Sequence, residues 1–164
     1  MPQRPGTAED PTLTIDPLDP RQFIVLFTDD RNGNRDIFGT RLAENGLPRG
    51  GPRGGHFPVV ESPEDDYAPR LVRGVDGSGP RAQARQLVLW TRDHLTEGPD
   101  VMARRIERTG LPRGSAFEVA GGPGIQAFPA AGVIPGSLAG GRNRPDEHMV
   151  VWVDDALGNL DVRG

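Results

Sequence analysis

The pentapeptide GLPRG occurs twice, at Gly46–Gly50 and Gly110–Gly114, an offset of 64 residues. Other elements recur with nearly the same spacing. FIVLFTDD (23–30), LVLWTRD (87–93) and MVVWVDD (149–155) each combine an apolar run, an aromatic residue and a nearby Asp. DIFGTRLAENG (36–46), DVMARRIERTG (100–110) and DVRG (161–164) form a second set, and FPVVES (57–62) with FEVAGG (117–122) a third. A fourth set is headed by Pro11, Pro69 and Pro129. Four elements returning in order every 60 residues or so mark an internal repeat, the feature that most restricts the fold of such a chain.

Each element reads as a strand. FIVLF, LVLW and MVVW are rich in β-branched and aromatic residues, and the segments between them (DRNGN, ENG, DGSG, GGPG, LGN) carry turn chemistry. VMARRIERTG has the most helical composition, but its counterparts contain Gly and β-branched residues, so the set is read as strands. The unit therefore has four strands. They are A (about 11–15, 67–73, 127–133), B (23–28, 86–91, 148–153), C (36–43, 100–107, 160–163) and D (56–61, 116–120). The expected fold is all-β, and four antiparallel strands per repeat is the signature of a β-propeller blade.

The order apolar-apolar-W-x-D, GN turn, D-[IV]-x-G-x-R, then G-x-P-x-G resembles the blade repeat of bacterial β-propeller proteins with W-x-D and D-I-x-G-x-R motifs. The likeness covers nearly all of residues 11–164. It departs in the middle unit, where Met102 and Ala103 stand in the places of Phe38 and Gly39. It implies a binding or scaffolding module, often exported. The expected organisation is one continuous domain: a flexible segment over 1–10, blade 1 over 11–66, blade 2 over 67–126 and an incomplete blade 3 over 127–164. Closed propellers use roughly four to eight blades. Blade 3 reaches Gly164 without a D strand, so a partial propeller completed by other copies of the chain is expected, as a closed homo-oligomer or a filament. A fragment whose remaining blades lie elsewhere is the alternative.

Composition agrees with short strands and many turns. The chain has 164 residues, with 23 Gly and 17 Pro, and Leu, Ile, Val and Phe make up about 23%. No cysteine is present, which excludes disulfides, thiolate nucleophiles and Cys metal sites. All 19 cationic residues are Arg, and the net charge of -4 argues against a nucleic-acid partner. RGGPRGG (49–55) resembles an RNA-binding RGG segment, but it is a single copy with only His56-Phe57 after it. No apolar run is long enough for a membrane helix. MPQRPGTAED lacks the apolar stretch of a secretory signal, so localisation is open between the cytoplasm and a mature exported form.

Propeller topology sorts the loops onto two faces. Arg49, Arg53, Arg81, Arg113, Arg142 and Arg144 fall in A–B and C–D connections. Asp29, Asp30, Asp36, Glu64, Asp65, Asp66, Glu97, Asp100, Asp154, Asp155 and Asp161 fall in B–C and D–A connections. One acidic and one mixed-to-basic face are expected. In DDRNGNRD, Asp30, Asn32, Asn34 and Asp36 alternate as oxygen ligands do in calcium loops, although no terminal bidentate Glu follows. Turn chemistry accounts for the same residues: Asn-Gly supplies positive φ and the Asp side chains bond turn amides. Calcium is thus the only cofactor in view. Phe27, Trp90 and Trp152 recur at the end of strand B and are read as blade-packing residues; sugar stacking is the alternative.

Catalytic chemistry finds no foothold. His56, His94 and His148 lack metal-ligand spacing, there is no G-x-S-x-G elbow or P-loop, and Thr12, Arg70 and Ala130 at the start of strand A form no catalytic set. The expected function is a non-enzymatic scaffold that associates with itself. The alternative is a lectin-like propeller binding a glycan or a protein between blades or on a loop face.

Overall fold

The computed structural model describes residues 6–16, 19–49, 55–76, 83–94, 96–135, 146–155 and 157–164. Among them are twelve strands and no helix, so the chain is all-β as the repeat predicts. The first sheet contains β1 (Ala8–Asp16), β2 (Asp19–Asp29), β3 (Asp36–Ala43), the two-residue β4 (Pro48–Arg49) and β5 (His56–Val60). β4 and β5 share the free edge of β3. The second sheet runs β6 (Asp65–Asp76), β7 (Gln83–His94), β8 (Gly98–Ile106), β9 (Pro112–Ala120). The third has β10 (Gln126–Ile134), β11 (Glu147–Asp154) and β12 (Asp161–Arg163). Every pairing is antiparallel between chain neighbours except that of β3 with β5, and no sheet closes on itself.

The expected strands lie at their expected places, with local differences. β1 begins at Ala8, so residues 8–10, assigned to the flexible segment, pair with β2 instead. β4 was not expected. VMARRI is strand, as its counterparts required: at β8 the ladder partners of β7 and β9 outweigh its local helical preference.

The repeat extends to backbone detail. β1, β6 and β10 each break register at an equivalent place, between Glu9 and Thr12, Tyr67 and Arg70, and Ala127 and Ala130. There Asp10, Ala68 and Phe128 have φ of 48°, 52° and 53°, each directly before a proline. Proline cannot donate to a ladder, so it sits where a bulge interrupts the pairing. The GLPRG turns also match bond for bond. Ala43 N–H donates to Leu47 O and Gly46 N–H to Ala43 O, both at 2.9 Å; Glu107 and Gly110 donate to Leu111 O and Glu107 O, both at 2.8 Å. Gly46 and Gly110 hold φ of 76° and 86°, which glycine adopts at no steric cost.

The sheets pack face to face. Strand side chains alternate between faces, so each sheet has what we term a leading face, toward the next unit, and a trailing face, toward the preceding one. Ile24, Leu26, Ile37, Phe57 and Val59, on the leading face of the first sheet, meet Val88, Trp90, Met102 and Ile106 on the trailing face of the second. Val72, Leu87, Leu89 and Ala103, on the leading face of the second, meet Ala131, Val133 and Val150 on the trailing face of the third. Phe57 occupies the closest approach. An added Cβ at Gly39, in its own sheet, or at Gly110, in the next, would lie 2.5 Å or 2.4 Å from its ring. The second junction is thinner: its third-sheet members are small and only half-buried.

Candidate functional site

Two features stand out: a polar network at one end of the first junction, and two uncovered apolar sheet faces. The network is built on aspartates that the sequence places on the acidic face. Asp29, Asp36, Asp66, Asp100 and Asp154, all assigned to the expected acidic face, are buried. Antiparallel meanders bring the strand-B end and the strand-C start together, and most of the partners of these carboxylates come from their own sheet or turn: Arg31 for Asp29, Trp90 and Arg92 for Asp66, His94 for Asp100, Trp152 and Arg163 for Asp154.

Asp66, fully buried, accepts from Trp90 Nε1 at 2.6 Å, Arg92 Nε at 2.8 Å, Arg92 Nη2 at 3.1 Å and Ser62 Oγ at 2.7 Å. Asp36 accepts from Asn32 Nδ2 at 2.8 Å and the Ser62 amide at 3.2 Å. Burial pushes the Asp36 carboxyl above the ordinary value of 3.8. Asn34 Nδ2 donates to Ser62 O and Glu64 O, at 2.9 and 2.8 Å, tying the first-sheet turn to the segment that leads into β6. Arg35 grips Asp65 through its amide and its guanidinium and lies 4.2 Å above the Tyr67 ring. Arg31 forms a two-bond pair with Asp29 and covers Phe38 at 4.3 Å; its hydrogen bond holds the Asp29 carboxyl below 3.8.

These bonds locate the calcium candidates. The side chains of Asn32 and Asn34 use their amide nitrogens as donors, and Asp36 is an acceptor of that turn. Asp30 Oδ1 accepts from the Thr7 amide at 2.6 Å, and Asp155 Oδ1 accepts from the Ile125 amide at 2.5 Å at the matching place in the third unit. The repetition points to anchoring of the strand-A entry. Among the described residues no group of three or more His, Asp or Glu is arranged to hold a metal ion.

Trp90 is fully buried in the first junction. Phe27 packs on Phe38 with ring centroids 6.5 Å apart and takes His56 edge-on at 5.5 Å. Trp152 is half-buried, and its Nε1 reaches Asp154 Oδ2 at 3.4 Å. His56, His94 and His148 lie in three different sheets. His94 Nε2 meets Asp100 Oδ2 at 3.1 Å, a pairing across the β7–β8 turn that residue spacing did not single out. Of the strand-A residues, Arg70 donates to its own neighbour, Pro69 O, at 3.1 Å. Arg53, Arg81, Arg142 and Arg144 lie outside the described residues, as do residues 50–54 of RGGPRGG. Phe57, the aromatic that would stack on a base, is in the core.

The uncovered faces are the trailing face of the first sheet and the leading face of the third. On the first, Leu13 is 58% exposed beside Ile15, with Phe23 and Val25 half-buried. On the third, Met149 is 55% exposed and Val162 68%, flanking Val151 and Ile134. An open cleft of about 380 Å³ lies at the border of the first two sheets, lined by Leu13, Thr14, Ile15, Phe23 and Arg73. The positional signal for these faces was in the sequence, as the unbroken apolar runs of β2 and β11, which leave both faces of each strand apolar. Among the described residues no further sheet lies against them. No family model, curated protein or solved structure matches this chain.

Proposed function

We propose that the chain is a partial β-propeller, two four-stranded blades and three strands of a third, that acts as a non-enzymatic scaffold by completing itself with further copies. The observation that carries this reading is the pair of apolar sheet faces left open at the two ends of the stack. Each sheet hides at least one such face within the chain, and an exposed apolar face of this kind marks an association surface. The A-to-D order of the second sheet, the shared bulges and the like-oriented junctions support a blade arrangement. The network around Asp66 and Asp36 supports a structural role for the polar residues, since each carboxylate is engaged by donors of the fold.

Mass in solution tests the proposal, by light scattering after size separation and by electron microscopy. Species of two or more chains that grow with concentration are expected. A folded monomer persisting through the micromolar range overturns self-completion. Binding of a glycan or protein is the second reading, and the cleft lined by Phe23 and Arg73 is the feature that favours it. A glycan array that gives saturable binding lost on Phe23→Ala, with the protein monomeric, would establish it instead.

A further inference from the structure

We infer that the contact between copies is head-to-tail: the leading face of the third sheet seats on the trailing face of the first sheet of a second copy. The inference rests on the self-completion reading and adds the polarity and the surfaces of the contact. It comes from comparing equivalent positions with and without a neighbouring sheet.

Both junctions within the chain have the same sense, leading face on trailing face. On the leading side, Ile24 and Leu26 are covered by the second sheet, and Leu87 and Leu89 are closed over at the next junction. Met149 and Val151, at the same places in β11, are open. On the trailing side, Leu71 and Val88 pack into the first junction, whereas their equivalents Leu13 and Val25 face no sheet.

The GLPRG turn repeats the contrast. Leu111 packs against the first junction and Gly110 presses on Phe57, while Leu47 is 63% exposed and Gly46 has nothing within 4 Å of its added Cβ. The two open faces are therefore complementary halves of a junction that the chain already makes twice. An isologous contact would oppose two like faces, an arrangement neither internal junction uses. Head-to-tail contacts generate a ring where the rotation closes and a filament where it does not.

Two variants test this. Leu13→Asp blocks the trailing face of the first sheet, and Met149→Asp blocks the leading face of the third; both sites are solvent-exposed within the chain. Leu47→Asp is a second trailing-face variant should Leu13→Asp fold poorly, with circular dichroism checking each. By native mass spectrometry, the wild type is expected to be multimeric, each variant monomeric alone, and an equal mixture of the two dimeric and no larger. A dimer of either variant alone, from a multimeric wild type, overturns the polarity and leaves self-completion standing. The same holds for a mixture that stays monomeric. A monomeric wild type overturns both.

Discussion

The two GLPRG turns form a controlled experiment on how a turn senses the neighbouring sheet. Gly46 and Gly110 share φ, hydrogen bonds and sequence context. Replacing Gly46 by Ala imposes a left-handed conformation on a residue with a Cβ, a cost of about 1–2 kcal/mol, and the new methyl meets open space. Gly110→Ala carries the same backbone cost and one more. Its Cβ falls 2.4 Å from Phe57 Cζ and 2.8 Å from Cε2, against about 3.5–4.0 Å for an ordinary carbon contact. The ring has little room to retreat: it is buried, and it also packs so close over Gly39 that a Cβ added there would lie 2.5 Å from it.

Overpacking of this kind costs about 1–3 kcal/mol, so Gly110→Ala should destabilise by about 2–5 kcal/mol in total. For a domain of this size the excess over Gly46→Ala is roughly 2–10 °C of melting temperature. Urea unfolding at one fixed protein concentration reads the difference directly, because association shifts apparent stability. Phe57→Leu supplies the cycle: combined with Gly110→Ala it should recover most of the excess while leaving the backbone cost. Equal losses for the two glycines, or no coupling between Gly110 and Phe57, would refute the placement of this turn against the first sheet.

Four further outcomes follow. Burial raises the Asp36 carboxyl, with Glu61 and Asp66 adding to the shift, so its contribution to stability is full below 3.8 and lost as pH rises through the raised value; Asp36→Asn should gain on the wild type from acidic to neutral pH, as followed by thermal melts. Asp29 is shifted down by Arg31, so its contribution is present above 3.8 and lost in acid, and the deficit of Asp29→Asn should shrink as pH falls. Trp90→Phe keeps a ring in the core but removes a 2.6 Å donor from buried Asp66, costing about 1.5–3 kcal/mol; Trp152→Phe, with a 3.4 Å contact in a half-buried place, should cost under about 1 kcal/mol, and equal losses in denaturation would contradict the assigned roles. Millimolar calcium should leave the melting temperature unchanged, because the Asn32 and Asn34 amides already occupy the turn as donors; a clear upward shift would restore the Asp30, Asn32, Asn34, Asp36 metal site.

The strands and turns were legible in the residues because their determinants are local. The unbroken runs of β-branched, aliphatic and aromatic residues in FIVLF, LVLW and MVVW set strands with two apolar faces, Asn-Gly and Leu-Gly-Asn set tight turns, and a proline at the same point of three strands sets three equivalent bulges. The recurrence of Phe27, Trp90 and Trp152 singled out Trp90, which lies in the core of the first junction. It did not find the partner of that residue: Asp66 stands opposite Arg92 in the β6–β7 ladder, and the carboxylate that bonds Trp90 also takes Arg92 and Ser62, a set that exists only once strands distant in sequence are paired. The burial of the aspartates was not legible for the same reason, since a carboxylate at a strand end shows no sign in sequence of the side chains that will cover it. Local pattern determined the all-β repeat and which side chains share a face. Tertiary packing alone decided which of those faces are covered, because burial depends on the sheet that lies next door: Ile24 and Met149 hold the same place in their strands, yet one is core and the other open surface.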